Sequence, residues 1–145
     1  MDAQRDTSAA LRCMCFNIRR TDRVVTQFYD EILAPSGLSA PQFGLLGTLT
    51  QVAPVTINHL AEIMNMDRTT LTRNLELLIK QRLVQSREGE DRRMRLVLPT
   101  EEGKQALRRA WPLWEEAQAR IERALGHARF DALLNELATV RTLVN

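Results

Sequence analysis

Residues 65–82 constrain this chain more than any other stretch. Asp67 is a helix N-cap type, since its carboxylate can accept from the free backbone N–H groups of the following turn. Leu71, Leu75, Leu78 and Ile79 then recur at helical spacing and predict one buried stripe. The first turn and a half is different. Arg68, Thr69, Thr70, Thr72, Arg73 and Asn74 are all hydrogen-bonding side chains, and several must point away from the stripe. A helix anchored by leucines at its C-terminal half, with Arg and Thr at its N-terminal half, fits the second helix of a helix-turn-helix. In that motif the N-terminal side chains meet base edges in the major groove. The plainer reading is a surface helix with a polar start.

The surroundings favour the first reading. Net charge over 145 residues is only +2. Residues 68–95, however, hold eight Lys/Arg (Arg68, Arg73, Lys80, Arg82, Arg87, Arg92, Arg93, Arg95) against four acids, so that segment is +4 and the rest is −2. A local basic excess beside such a helix is what a phosphate-binding face requires. The length predicts one domain, or one domain with helical extensions, and an apolar share of 44% is enough for a core. No apolar run approaches the ~18 residues of a membrane span. The first residues lack a basic-then-apolar signal pattern, so a cytoplasmic location is expected.

Taken in order, residues 8–34 predict a long helix. Leu11, Met14, Cys15, Ile18, Val25, Phe28, Tyr29, Ile32 and Leu33 form a broad face, with Cys13, Phe16 and Val24 roughly opposite. A helix apolar on two sides should be covered on two sides, and in a short chain a second subunit is a plausible cover. Pro35-Ser36-Gly37 stops it. Ser39 caps a second helix with Pro41 in its first turn, running to about Val52 on Phe43, Leu45, Leu46 and Leu49. Ala53-Pro54-Val55 reads as a break. Thr56 caps a short helix from Ile57 to Met64, with Leu60, Ala61 and Ile63 as apolar positions, and Asn65-Met66-Asp67 turns into the next helix. Residues 83–87 and 94–98 predict two strands around a polar loop, a hairpin or "wing". Thr100 caps a long helix to about Leu125, with an interruption and kink expected at Pro112 and a stop at Gly126. Residues 128–144 predict a last helix with Phe130, Leu133, Leu134, Leu137, Val140, Leu143 and Val144 as its apolar face. The fold class is therefore mainly α with a small β-hairpin wing.

With these pieces in place, the chain resembles the MarR (multiple antibiotic resistance regulator) family of winged-helix transcription factors. The likeness rests on Gly37-Leu38-Ser39 with Gln42-Phe43, on Leu60-Ala61 and on residues 67–73 with Leu83-Val84. Its most specific piece is Asp91-Arg92-Arg93, followed by Leu96-Val97-Leu98 and Thr100-Glu101-Glu102-Gly103. Each piece is weak alone; their order and spacing together cover nearly the whole chain. The resemblance implies a single 1–145 unit in which 39–99 form a winged helix-turn-helix and 8–36 and 100–145 form the dimerisation helices. It implies a homodimer on a pseudo-palindromic double-stranded DNA operator. It also implies repression relieved by a small aromatic or anionic effector, or by thiol oxidation.

The expected DNA-facing residues are Arg68, Thr69, Thr70, Thr72 and Arg73, since arginine can bond guanine bidentately and threonine offers a hydroxyl and a methyl. Thr56 could donate to a phosphate, although capping alone explains it. In the wing, Arg92, Arg93 and Arg95 are the cationic candidates, with Arg92 and Arg93 suited to a narrow minor groove; the alternative is a solvated charged turn. Asp91 cannot favour phosphate and should hold one of these arginines. The space between the first, second and fifth helices reads either as an effector pocket or as plain dimer core. The aromatic candidates for such a pocket are Phe16, Phe43, Trp111 and Trp114, with Cys15 as a further candidate. Arg19, Arg20 or Arg23 would pair with a carboxylate ligand. Cys13 and Cys15 are about 200° apart on a helix, so they cannot bridge each other or share a metal without unwinding. Cys15 reads as a small buried hydrophobe. The alternative is an oxidant sensor whose thiol is activated by Arg12, Arg19 or Arg20.

An enzyme reading is poor. His59 and His127 lie on different helices without ligand spacing, and the sequence has no Gly-rich phosphate loop or nucleophile elbow. No cofactor is expected. A winged helix used only for protein–protein contact is a further alternative, which the basic wing argues against.

Overall fold

The computed structural model describes residues 11–143. In chain order it contains α1 (Met14–Leu33), a 3-10 turn (Ala34–Ser36), α2 (Ala40–Val52), β1 (Val55–Thr56), α3 (Ile57–Ile63), α4 (Arg68–Lys80), β2 (Val84–Glu88), β3 (Arg95–Pro99), α5 (Glu101–Leu125) and α6 (His127–Leu143). The strands form one antiparallel sheet in the order β1-β3-β2. The architecture is mainly helical with a small wing, as the sequence predicts.

Local chemistry explains most element boundaries. Ser39 and Gln42 form a reciprocal capping box at the start of α2: the Ser39 side chain accepts from the Gln42 N–H at 3.4 Å, and Gln42 Oε1 accepts from the Ser39 N–H at 3.0 Å. Thr56, Asp67 and Thr100 accept through their side chains from the backbone amides of His59, Thr70 and Gly103, which starts α3, α4 and α5. At Gly126 the backbone turns to φ 82, a conformation that side chains with a Cβ resist, and α5 gives way to α6.

The core lies where α2, α3, α4, the sheet and the first half of α5 meet. Leu46, Leu49, Leu60, Leu71 and Leu78 are fully buried, and Leu33 from the end of α1 joins them. Gly103 is required by close packing: a Cβ there would sit 2.0 Å from the Leu83 carbonyl oxygen. The same junction is tied by the Thr100 N–H to Leu83 O (3.0 Å) and by the Thr100 hydroxyl to Arg82 O (2.7 Å). It fixes the wing against the start of α5.

Several expectations need correction. The first helix is broken at Cys13, whose backbone is extended (φ −67, ψ 119), so α1 starts at Met14; residues 8–10 of the expected helix lie outside the described residues. Val55–Thr56 is a strand rather than a simple break, because Val55 and Thr56 pair with Val97 and Leu96. The sheet therefore has three strands, not two. Ile63 and Ile79 are both 39% exposed and lie outside the buried stripes assigned to them. α5 runs through Pro112 without interruption. A proline removes one backbone donor, and the hydrogen bonds and packing on either side of it hold the helix together. No residue of α6 is buried, and Val144 of its expected apolar face lies outside the described residues.

Candidate nucleic-acid interface

The N-terminal half of α4 and the base of the wing form one basic surface. Asp67 organises its start. Its Oδ1 accepts the Thr70 N–H at 2.9 Å and its Oδ2 accepts the Thr70 hydroxyl at 2.5 Å. These bonds favour the ionised carboxylate, and they lower its pKa below the ordinary carboxylate value. Thr70 thus spends its proton on the cap. The Thr72 hydroxyl donates back to the Arg68 carbonyl at 2.7 Å, which leaves its methyl and its two acceptor lone pairs. Among the described residues the Thr69 hydroxyl makes no hydrogen bond, and Thr69 is exposed. Thr56 accepts the His59 N–H at 3.2 Å, so its hydroxyl serves as a cap.

Arg68 from α4 and Arg93 and Arg95 from the wing converge on one cleft of about 500 Å³, together with Thr56, Ile57, Asn58 and Met94. Residues 25 and more positions apart are therefore brought to one place by the sheet. Arg73 lies farther along α4 and Arg92 lies at the tip of the wing, both exposed and outside this cleft. None of Arg68, Arg73, Arg92, Arg93 and Arg95 forms an ion pair among the described residues, although Arg108 and Arg120 pair with Glu101 and Glu116 elsewhere. Uncompensated guanidinium groups on one face leave a positive field directed at solvent. Asp91 holds its arginine through the backbone: Oδ1 accepts the Arg93 N–H at 2.9 Å, while the Asp91 carbonyl accepts the Met94 N–H at 2.8 Å. The expected hold on the side chain is thus a turn that shapes the wing loop.

Asn58 was not identified from the sequence. Its signal was available: a polar side chain in the first turn after the Thr56 cap.

A second concavity, of about 520 Å³, lies between α1, α2 and α5. Phe43, Trp111 and Trp114 line it, with ring centroids 5.2–5.9 Å apart. Cys15, Phe16, Arg19 and Arg23 do not line it; α1 contributes Asp22, Val25, Thr26 and Tyr29 instead. The groove meets α1 one to two turns beyond the residues expected there, where α2 and α5 pack against it. Tyr29 donates its hydroxyl proton to Gln118 Oε1 at 2.5 Å, and partial burial raises its pKa.

Cys13 and Cys15 are both exposed, so Cys15 is not buried within the chain. Since Cys13 is outside the helix, the 200° argument does not describe this pair. Among the described residues neither thiol is hydrogen-bonded, and the thiol-sensor alternative is not favoured. No group of His, Cys, Asp and Glu suited to a metal ion occurs among the described residues. No helix among them is long and apolar enough to cross a membrane.

Comparison with known proteins agrees with this arrangement. A sequence profile of the MarR family matches residues 36–94, the span from α2 to the wing loop. The HTH-type transcriptional regulator YwoH of Bacillus subtilis (strain 168), itself uncharacterized, is 32% identical over 91 residues, covering 63% of this chain and 66% of that protein. The M. tuberculosis transcriptional regulator MosR, solved in complex with DNA, is 37% identical; the match covers 88% of this chain and 97% of that one, with a TM-score of 0.75. The transcriptional repressor CouR, solved on a 23-mer DNA duplex, shares the fold at 23% identity, 97% and 99% coverage and a TM-score of 0.82. The helix-turn-helix, the basic wing and the flanking helices thus have one common explanation: the chain belongs to the MarR family of winged-helix transcriptional regulators.

Proposed function

We propose that this protein is a cytoplasmic, non-enzymatic repressor that binds a pseudo-palindromic operator as a homodimer. The observation that carries this reading is the convergence of unpaired Arg68, Arg93 and Arg95 on one cleft beside the exposed start of α4. Thr69, Thr72 and Arg73 on α4 would approach base edges, with Arg68, Asn58 and Thr56 near the backbone and Arg92 and Arg93 in the adjacent minor groove. Thr70 and Asp91 act as organisers of the helix start and the wing. Residues 39–99 serve as the reading part, and the helices on either side serve as the dimerisation part. Leu133, Leu134 and Leu137 of α6 and Met14, Phe16 and Ile18 of α1 are exposed in the single chain, and a second chain would cover them.

The groove between α1, α2 and α5 is the candidate effector site. It lies where α2 of the reading part meets α1 and α5 of the dimerisation part. A ligand there would change affinity for DNA only by favouring one spacing of the reading heads over another. CouR has also been solved with p-coumaroyl-CoA, which supports a small-molecule effector.

The test is a footprint of the purified protein on DNA just upstream of its own gene and on a genomic fragment library at physiological salt. A protected inverted repeat with half-sites about 34 Å apart is expected. Weak, unlocalised binding across the whole library would refute the sequence-specific reading.

A further inference from the structure

The aromatic groove has a charge character that an anionic effector does not suit. Trp114 stacks on Phe43 with 19° between ring planes, and Trp111 lies against both. Among the described residues Asp22 is the one charged side chain in the lining, and no Lys or Arg contributes to it. A second carboxylate, Glu115, accepts the Trp111 indole N–H at 3.0 Å. Asp22 Oδ1 is engaged only at 3.4 Å by the Thr26 hydroxyl, and its other oxygen makes no bond among the described residues.

The faces of aromatic rings are the negative ends of their quadrupoles. An anion entering this groove would lose hydration against such faces, next to Asp22, with no cation to replace the water. A flat cation would gain from the same faces and from Asp22. We propose that the groove binds a planar aromatic cation, with its rings on Trp111, Trp114 and Phe43 and its positive charge turned toward Asp22. The volume of about 520 Å³ accommodates a ligand of two or three fused rings. Any effect on DNA rests on the groove being the effector site; binding itself does not.

The experiment compares three compounds that share one ring system: N-methylquinolinium, neutral quinoline and quinoline-4-carboxylate. Each is titrated at neutral pH into the full-length protein, with the indole N–H signals of its two tryptophans followed by NMR. The expected result is that the cation shifts both signals and binds roughly tenfold more tightly than the carboxylate, the scale of one desolvated cation–π contact. Asp22→Asn, an exposed substitution, should cut the cation's advantage several-fold and leave quinoline binding unchanged. A carboxylate that binds as tightly as the cation overturns the inference. So does a cation that leaves both indole signals unmoved, or an advantage that survives Asp22→Asn. Release of operator DNA is measured in parallel. If the cation binds but DNA stays bound, the effector-site reading fails and the charge preference stands. If only the carboxylate binds and releases DNA, the effector-site reading stands and this inference falls.

Discussion

Helices α4 and α6 present the same residue type at similar spacing and treat it in opposite ways. Leu71, Leu75 and Leu78 of α4 are 0–2% exposed, whereas Leu133, Leu134 and Leu137 of α6 are 36–48% exposed. The α4 leucines meet α3, β2 and the rest of the core within the chain. The α6 leucines belong to no core cluster of the chain and leave an apolar face open. One helix completes a core; the other offers half of one. The N-terminal part of α1 resembles α6 in this respect, and its C-terminal residue Leu33 resembles α4.

The comparison can be broken first at its closed end. Leu71→Ala should lower unfolding free energy by about 2–5 kcal/mol, read from denaturant midpoints, because the cavity lies among rigid neighbours. An unchanged midpoint would show that α4 is not the keystone of the core. At the open end, the pair Leu134→Glu and Leu137→Glu should leave the fold of the single chain intact by circular dichroism. It should yield a monomer by sedimentation and weaken operator binding by about a hundredfold, since two reading heads then bind separately. A double variant that stays dimeric would place the interface elsewhere.

Smaller effects sharpen the contrast at the DNA face. Arg93→Ala should weaken binding and reduce the slope of log affinity against log salt by about one, as expected for one lost cationic contact with the DNA. An unchanged slope would remove the wing base from the interface. The smallest effect concerns Asp67. Its folded pKa lies below the ordinary carboxylate value, so its contribution to stability is fully present above that value. That contribution is lost as pH falls through the folded pKa. Thermal unfolding of the wild type and of Asp67→Asn should differ near neutral pH and converge in strong acid. Curves that stay equally separated at all pH values would mean that the carboxylate charge is irrelevant to the cap.

Much of this fold is legible in the sequence because its signals are local. Caps at Ser39, Thr56, Asp67 and Thr100 depend on three or four neighbouring residues, and so does the leucine stripe of α4. The basic wing shows up as a charge excess within a short segment. What escaped local reading depends on distant partners. Val55–Thr56 is too short to show alternation, and its identity as a strand comes from pairing with Val97 and Leu96, some forty residues away. Ile63 and Ile79 are helical apolar residues like their neighbours, and only the position of the core decides that they face outward. Where α2 and α5 cross α1 chose Asp22 and Tyr29 over Cys15 and Arg19 as groove residues, and nothing within α1 itself encodes that crossing point. The position of Asn58 after the Thr56 cap is readable locally, but its company with the wing arginines is not.

The sequence by itself determined where α2, α3, α4 and α5 start, that a wing follows α4 and that positive charge accompanies α4, because caps, periodicity and charge density act over a few residues. The tertiary structure alone decided which arginines stand together, which leucines lie inside and that the groove is lined by a carboxylate rather than a guanidinium. Those outcomes depend on how elements far apart in the chain pack, and close packing admits one arrangement that no single segment encodes.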